Sequence, residues 1–260
     1  MHASNFIGGA SKAPSFAHPF YGNIMAFTSP ASSRQTSRGY AQGSKLWNAL
    51  RLNLPAEAAR LIAEGASATE RVNGGLTPLM VVAKLGFVDC AQAVLPFSDM
   101  AAVDGYGRSA LSLAAGGCAG PAMVELLLSA GPEQALIVDI LGDSPLLRAA
   151  SQGKEECVLA LLPHGGARLA GSLGRTALME CARLGMAACV DSLLPASDVF
   201  AVDSSGKTAK RLARDSGFHE LASAIQCFEA KVHAEAEAEC LLLAIGGEPC
   251  GQEERGGRRI

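Results

Sequence analysis

Five histidines, eight cysteines and 25 carboxylates are the side chains in this sequence that could do chemistry. The histidines are His2, His18, His164, His219 and His233, and no cysteine stands at metal-ligand spacing from any of them. The cysteines are Cys90, Cys118, Cys157, Cys181, Cys189, Cys227, Cys240 and Cys250. None forms the Cys-x-x-Cys pair that zinc sites and redox dithiols use. No Gly-x-Gly-x-x-Gly opens a helix after a strand, and no phosphate-binding Walker loop is present. Neither His-Glu-x-x-His nor the Gly-x-Ser-x-Gly nucleophile turn occurs. No catalytic, cofactor-binding or metal-binding residue is therefore nominated. The expectation is a protein that is not an enzyme and takes no cofactor or small-molecule substrate.

The informative spacing lies elsewhere. Gly75-Leu-Thr-Pro-Leu-Met is followed by Gly107-Arg-Ser-Ala-Leu-Ser and Gly142-Asp-Ser-Pro-Leu-Leu. Gly174-Arg-Thr-Ala-Leu-Met and Gly206-Lys-Thr-Ala-Lys-Arg continue the series. Each start is followed by small residues (Val82-Ala83, Ala114-Ala115, Ala149-Ala150, Cys181-Ala182, Ala213), then in most units by a second glycine: Gly86, Gly153, Gly185 or Gly217. The second unit carries Gly116-Gly117-Cys118-Ala119-Gly120 there, with an insertion. An apolar pair closes the inner units: Val94-Leu95, Leu127-Leu128, Leu161-Leu162 and Leu193-Leu194.

Each position has a physical reason. The hydroxyls of Thr77, Ser109, Ser144, Thr176 and Thr208 can N-cap a first helix. Pro78 and Pro145 suit the first helical position, where no N–H is needed. The second glycine can end that helix in the left-handed conformation. A second helix follows, with Cys157, Val158, Leu161 and Leu162 at helical spacing in one unit. Pro96, Pro163 and Pro195 stop it. Asp104, Asp139 and Asp203, three residues before the next glycine, can close a tight turn by bonding their own backbone.

This pattern resembles the ankyrin repeat, a β-turn plus two antiparallel helices in about 33 residues with a Thr-Pro-Leu-His-like tetrapeptide. Here the tetrapeptide reads Thr77-Pro78-Leu79-Met80. The Cys-Val and Leu-Leu-Pro usage is also similar to ankyrin-only proteins and ankyrin–kinase fusions of some parasitic protists. The resemblance implies an all-α fold: an ankyrin-repeat solenoid of helix–turn–helix units with short β-turn loops. It divides the chain into a disordered tail over 1–42 and an array over 43–229. The array comprises a degenerate unit 43–74, units 75–106, 107–141, 142–173 and 174–205, and a C-terminal cap 206–229. A helical extension and frayed tail complete the chain over 230–260. In the cap, Lys210 and Arg214 replace the Leu and Ala of inner units, as expected of an end exposed to water.

Composition sets the limits. The formal net charge is -3, which makes a nucleic-acid partner unexpected. Hydrophobic residues make up 49% and aromatics 5%, which suits stacked helices. The most apolar stretches are too short or too interrupted to cross a membrane. The cysteines read as reduced thiols in a cytoplasmic protein. Before Glu57 the chain has no acidic residue, so an organellar leader is the alternative; Met25 is an alternative start. Ser29-Pro30 and Arg34-Gln35-Thr36-Ser37 have the pattern of kinase sites.

The resemblance also implies where contact is made. Stacked units form a concave face from turn tips and first-helix surfaces. The contact positions are Leu76, Lys84 and Leu85 in the first clear unit, and Tyr106 and Arg108 in the second. Ile140, Leu141, Asp143 and Gln152 follow in the third. Leu173, Arg175, Arg183 and Leu184 belong to the fourth, and Lys207 to the fifth. Leu85, Tyr106, Leu141, Leu173 and Leu184 are expected to line one apolar ridge, with Arg108, Arg175 and Arg183 orienting the partner. The implied function is a non-enzymatic adaptor that binds another protein on this face. The alternative is a regulatory subunit or inhibitor that covers the active site of a partner enzyme such as a kinase.

Overall fold

The computed structural model describes residues 45–245. The expected tail over 1–42, its kinase-site patterns, and the end of the chain after Ile245 lie outside them. Twelve α-helices and two isolated antiparallel bridges form among the described residues. Helix α1 spans 45–51 and α2 Pro55–Ala63. Then come α3 Pro78–Leu85, α4 Val88–Val94, α5 Ala110–Gly116 and α6 Pro121–Ala130. Next are α7 Pro145–Ser151, α8 Glu155–Leu161, α9 Ala177–Leu184 and α10 Ala187–Leu193. The last pair is α11 Ala209–Asp215 and α12 His219–Ile245.

The local devices act as the spacing implies. Thr77, Ser109, Ser144, Thr176 and Thr208 each accept a hydrogen bond from the backbone N–H three residues on. Such a cap contributes about 1 kcal/mol. Gly86, Gly153, Gly185 and Gly217 have positive φ and turn the chain into the second helix. At the three Leu-Pro sites the chain tightens into one 3-10 turn before leaving the helix: Leu95–Phe97, Leu162–His164 and Leu194–Ala196.

Two layers result, because first helices pack on first helices and second helices on second. The first-helix layer runs α3, α5, α7, α9, α11, and the second α2, α4, α6, α8, α10. Leu79, Leu111, Leu146 and Leu178 occupy equivalent buried positions along the stack, and Ala83, Ala115, Ala150 and Ala182 have no exposure at all. Each such leucine contributes about 1.5–3 kcal/mol through burial. The alanines let neighbouring helices close in without a void.

The insertion in the second unit is held by a neighbour. The ammonium of Lys154, just before α8, donates to the carbonyls of Gly117, Ala119 (3.0 Å) and Ala114 (3.5 Å). Cys118 N–H adds a bond to the Lys84 carbonyl at 2.9 Å. The end cap differs from expectation at one residue. Arg214 is exposed, but Lys210 is half-buried and its ammonium pairs with the buried Glu229 carboxylate of α12. Helix α12 outruns an ordinary second helix and supplies a counter-ion that the repeat pattern does not anticipate.

Candidate protein-binding face

Between each second helix and the next first helix the chain makes a finger, a tight turn ending at the unit glycine. In three fingers one carboxylate builds it. Oδ1 of Asp104 accepts from the Tyr106 and Arg108 N–H groups, both at 2.9 Å. Asp139 does the same for Leu141 and Asp143, and Asp203 for Ser205 and Lys207. The fourth finger has Gly171 at this position. A Cβ there would collide with the Asp143 carboxylate of the preceding finger and lie 2.9 Å from Leu147 Cδ2.

Backbone hydrogen bonds join the fingers in sequence. Gly105 N–H donates to the Gly74 carbonyl (2.6 Å) and Ile140 to Tyr106 (3.0 Å). Ser172 donates to Leu141 (2.6 Å) and Ser204 to Leu173 (2.9 Å). The residues immediately before the unit glycines therefore stand in one line: Tyr106, Leu141, Leu173. They are 57%, 52% and 57% exposed, and Ile140 beside them is 69% exposed. Val138 and Val202, each one residue before a turn-closing aspartate, extend the apolar strip and are also exposed. Sequence reading missed these two; the signal was the Val-Asp dipeptide shared by Val103, Val138 and Val202.

The expected five-residue ridge is not one ridge. Tyr106, Leu141 and Leu173 belong to the finger line. Leu85 and Leu184 sit at the C-terminal ends of α3 and α9, where the equivalent residues of the units between them are Gly117 and Gln152. Leu85 is exposed, whereas Leu184 is half-buried against the core, as is Leu76. Exposed Lys84 and Gln152 lie with Leu85 at the helix ends.

The arginines expected to orient a partner are engaged within the chain. Arg108 donates through Nε (2.9 Å) and a terminal nitrogen (2.7 Å) to Asp104 Oδ2, and its guanidinium lies 4.8 Å from the Tyr106 ring centroid. Glu180, almost fully buried, receives Arg175 at 2.9 Å on one oxygen and Arg183 at 2.7 Å on the other. Arg175 also approaches Asp203 at 3.7 Å. Arg148 pairs with Asp139 and lies 3.6 Å from Asp143. Lys207 pairs with Asp215 at 2.7 Å. Glu180 and Arg148 were overlooked because their column is apolar in the other units, where Val81, Leu113 and Leu212 stand. A charge breaking that column was the available signal.

These contacts move the carboxylates in opposite directions. Burial pushes the Asp104 carboxyl up, but the Arg108 guanidinium and the two turn amides outweigh it and hold it below the usual range. The Lys207 amide, with that of Ser205 and the nearby Arg175 and Lys207 charges, lowers Asp203 against burial. Burial, reinforced by the Asp139 charge, raises Asp143.

Six of the cysteines fall into two sets. Cys90, Cys157, Cys181 and Cys189 are buried, and burial pushes their thiols up, Cys189 to about 11. They serve as small core residues. Cys118 and Cys227 are exposed. No helix among the described residues is long and apolar enough to cross a membrane.

A family model described as ankyrin repeats (3 copies) matches residues 46–136 and 118–203, more than half of the chain. No curated protein matches it.

Proposed function

We propose, from the premise that this chain belongs to the ankyrin-repeat family, that it is a non-enzymatic adaptor whose finger face binds another protein. Ankyrin repeats generally mediate protein–protein interaction. The observation that carries the role is the line of Tyr106, Leu141 and Leu173, exposed side chains on a backbone pinned finger to finger. Contiguous exposed apolar groups cost a soluble protein stability against association, and they persist where a partner covers them. A pinned backbone loses little freedom on binding, so more of the contact energy remains as affinity. Tyr106 is the expected anchor, since a rigid aromatic side chain dominates many such interfaces.

The test is a quantitative pull-down from native lysate with the wild-type chain and with Tyr106→Asp/Leu141→Asp/Leu173→Asp. All three positions are exposed, so circular dichroism should show the same helix content in both. Specific partners are expected to fall at least about tenfold with the variant, in line with hot-spot losses above about 1.4 kcal/mol. An unchanged set of partners would remove the finger face from the function.

A further inference from the structure

We infer that the segment received by the fingers is apolar and carries no net charge, neither an acidic nor a basic peptide. This rests on the finger face being the binding face and specifies what binds there. The charges on the fingers that carry Tyr106, Leu141 and Leu173 are already neutralised by one another. On the fingers Arg108 is bound by Asp104, Arg175 by Glu180 and Asp203, and Lys207 by Asp215. Beneath them on α7 and α9, Arg148 is held by Asp139 and Asp143, and Arg183 by Glu180. Of the charged side chains on the finger turns 103–108, 138–143, 170–175 and 202–207 and on the first helices α3, α5, α7 and α9 beneath them, Lys84 alone has no counter-ion among the described residues.

An acidic partner would have to compete with Asp104 and Glu180 for guanidinia already held at 2.7–2.9 Å. A basic partner would have to displace those guanidinia from their carboxylates. Either exchange returns about as much as it removes and adds the desolvation of the incoming charge. An uncharged segment meets no such competition. It covers Tyr106, Ile140, Leu141, Leu173 and Val202, and leaves the ion pairs intact beneath it. Charge is likewise depleted from the centres of protein interfaces in general.

The test is selection of a displayed library of random peptides on the full chain. Enriched peptides are then synthesised and titrated against the wild type and Tyr106→Asp/Leu173→Asp, at low salt and at about 0.5 M salt, where exposed charges are screened. The expected peptides are apolar with no net charge. They lose at least about tenfold in affinity with the variant and change less than about threefold with salt. Enriched peptides that need the fingers but are acidic or basic, with steep salt dependence, would overturn this inference and leave the binding face standing. Enriched peptides indifferent to the fingers would overturn both. No enrichment of any peptide would overturn the inference, since a short apolar segment would then not suffice.

Discussion

Asp104 and Asp143 show how one residue type takes opposite electrostatic roles in successive fingers. Asp104 is held ionised by Arg108 and two turn amides, which outweigh its burial, so its folded pKa is depressed. It contributes stability above the unfolded carboxyl value of about 4 that is lost as pH falls through the folded value. Asp143 has the reverse sign. Burial and Asp139 raise its folded pKa, so its relative stability is fully present below about pH 4 and is lost as pH rises through the folded value. Asp143→Asn removes that loss. Urea unfolding across pH should show the variant more stable than wild type at neutral pH, with the gain vanishing in acid; equal curves at all pH would refute the sign. The turn-closing role of the Asp positions was legible in the sequence, because an aspartate at a fixed distance before a glycine has few other uses. The ion pairs were not, because they form only once each finger folds back on the first helix that follows it, bringing Asp139 and Asp143 to Arg148 and Arg175 to Glu180.

At the scale of elements, the helix pairs were legible almost to the residue. Caps, prolines and glycines act within one turn of chain, so local sequence determines them. What escaped was set by contact between elements. The Gly116–Gly120 insertion reads as an irregular loop, yet Lys154 from the next unit holds three carbonyls of α5 and that loop. An ammonium placed at the C-terminal end of α5 also meets the negative end of the helix dipole. Lys154→Met keeps the side-chain stem and removes the charge. Hydrogen exchange at Cys118 N–H and the last amides of α5 is expected to quicken about tenfold, equivalent to about 1.4 kcal/mol of lost local stability, with the caps of α7 and α9 unaffected. Unchanged exchange would mean that the Cys118–Lys84 backbone bond alone secures the loop. Helix α12 is the other case. Its Ala- and Glu-rich sequence signals helix, but nothing local announces that Glu229 would bury itself against Lys210.

At the scale of the whole molecule, a stack of near-identical units turns one local position into a line. Tyr106, Leu141 and Leu173 become a surface because the same turn recurs and each finger bonds to the next. That line was legible as a column in the aligned units. The expected continuation through Leu85 and Leu184 failed because the insertion puts Gly117, and the third unit Gln152, into that column. The arginines are not free cations as their positions suggested: Arg108 pairs with Asp104 of its own finger, and Arg175 and Arg183 pair with Glu180 of their own unit. Should the partner be an enzyme, its activity at saturating adaptor separates plain scaffolding from the covering of an active site. The adaptor account itself depends on which face is occupied. Photo-crosslinking tests this most directly, with benzoylphenylalanine placed at Tyr106 on the fingers or at Leu159 on the outer helix α8, both exposed. The account expects partner adducts from position 106 and none from 159. Adducts from 159 alone would contradict it and move the function to the outer layer of helices.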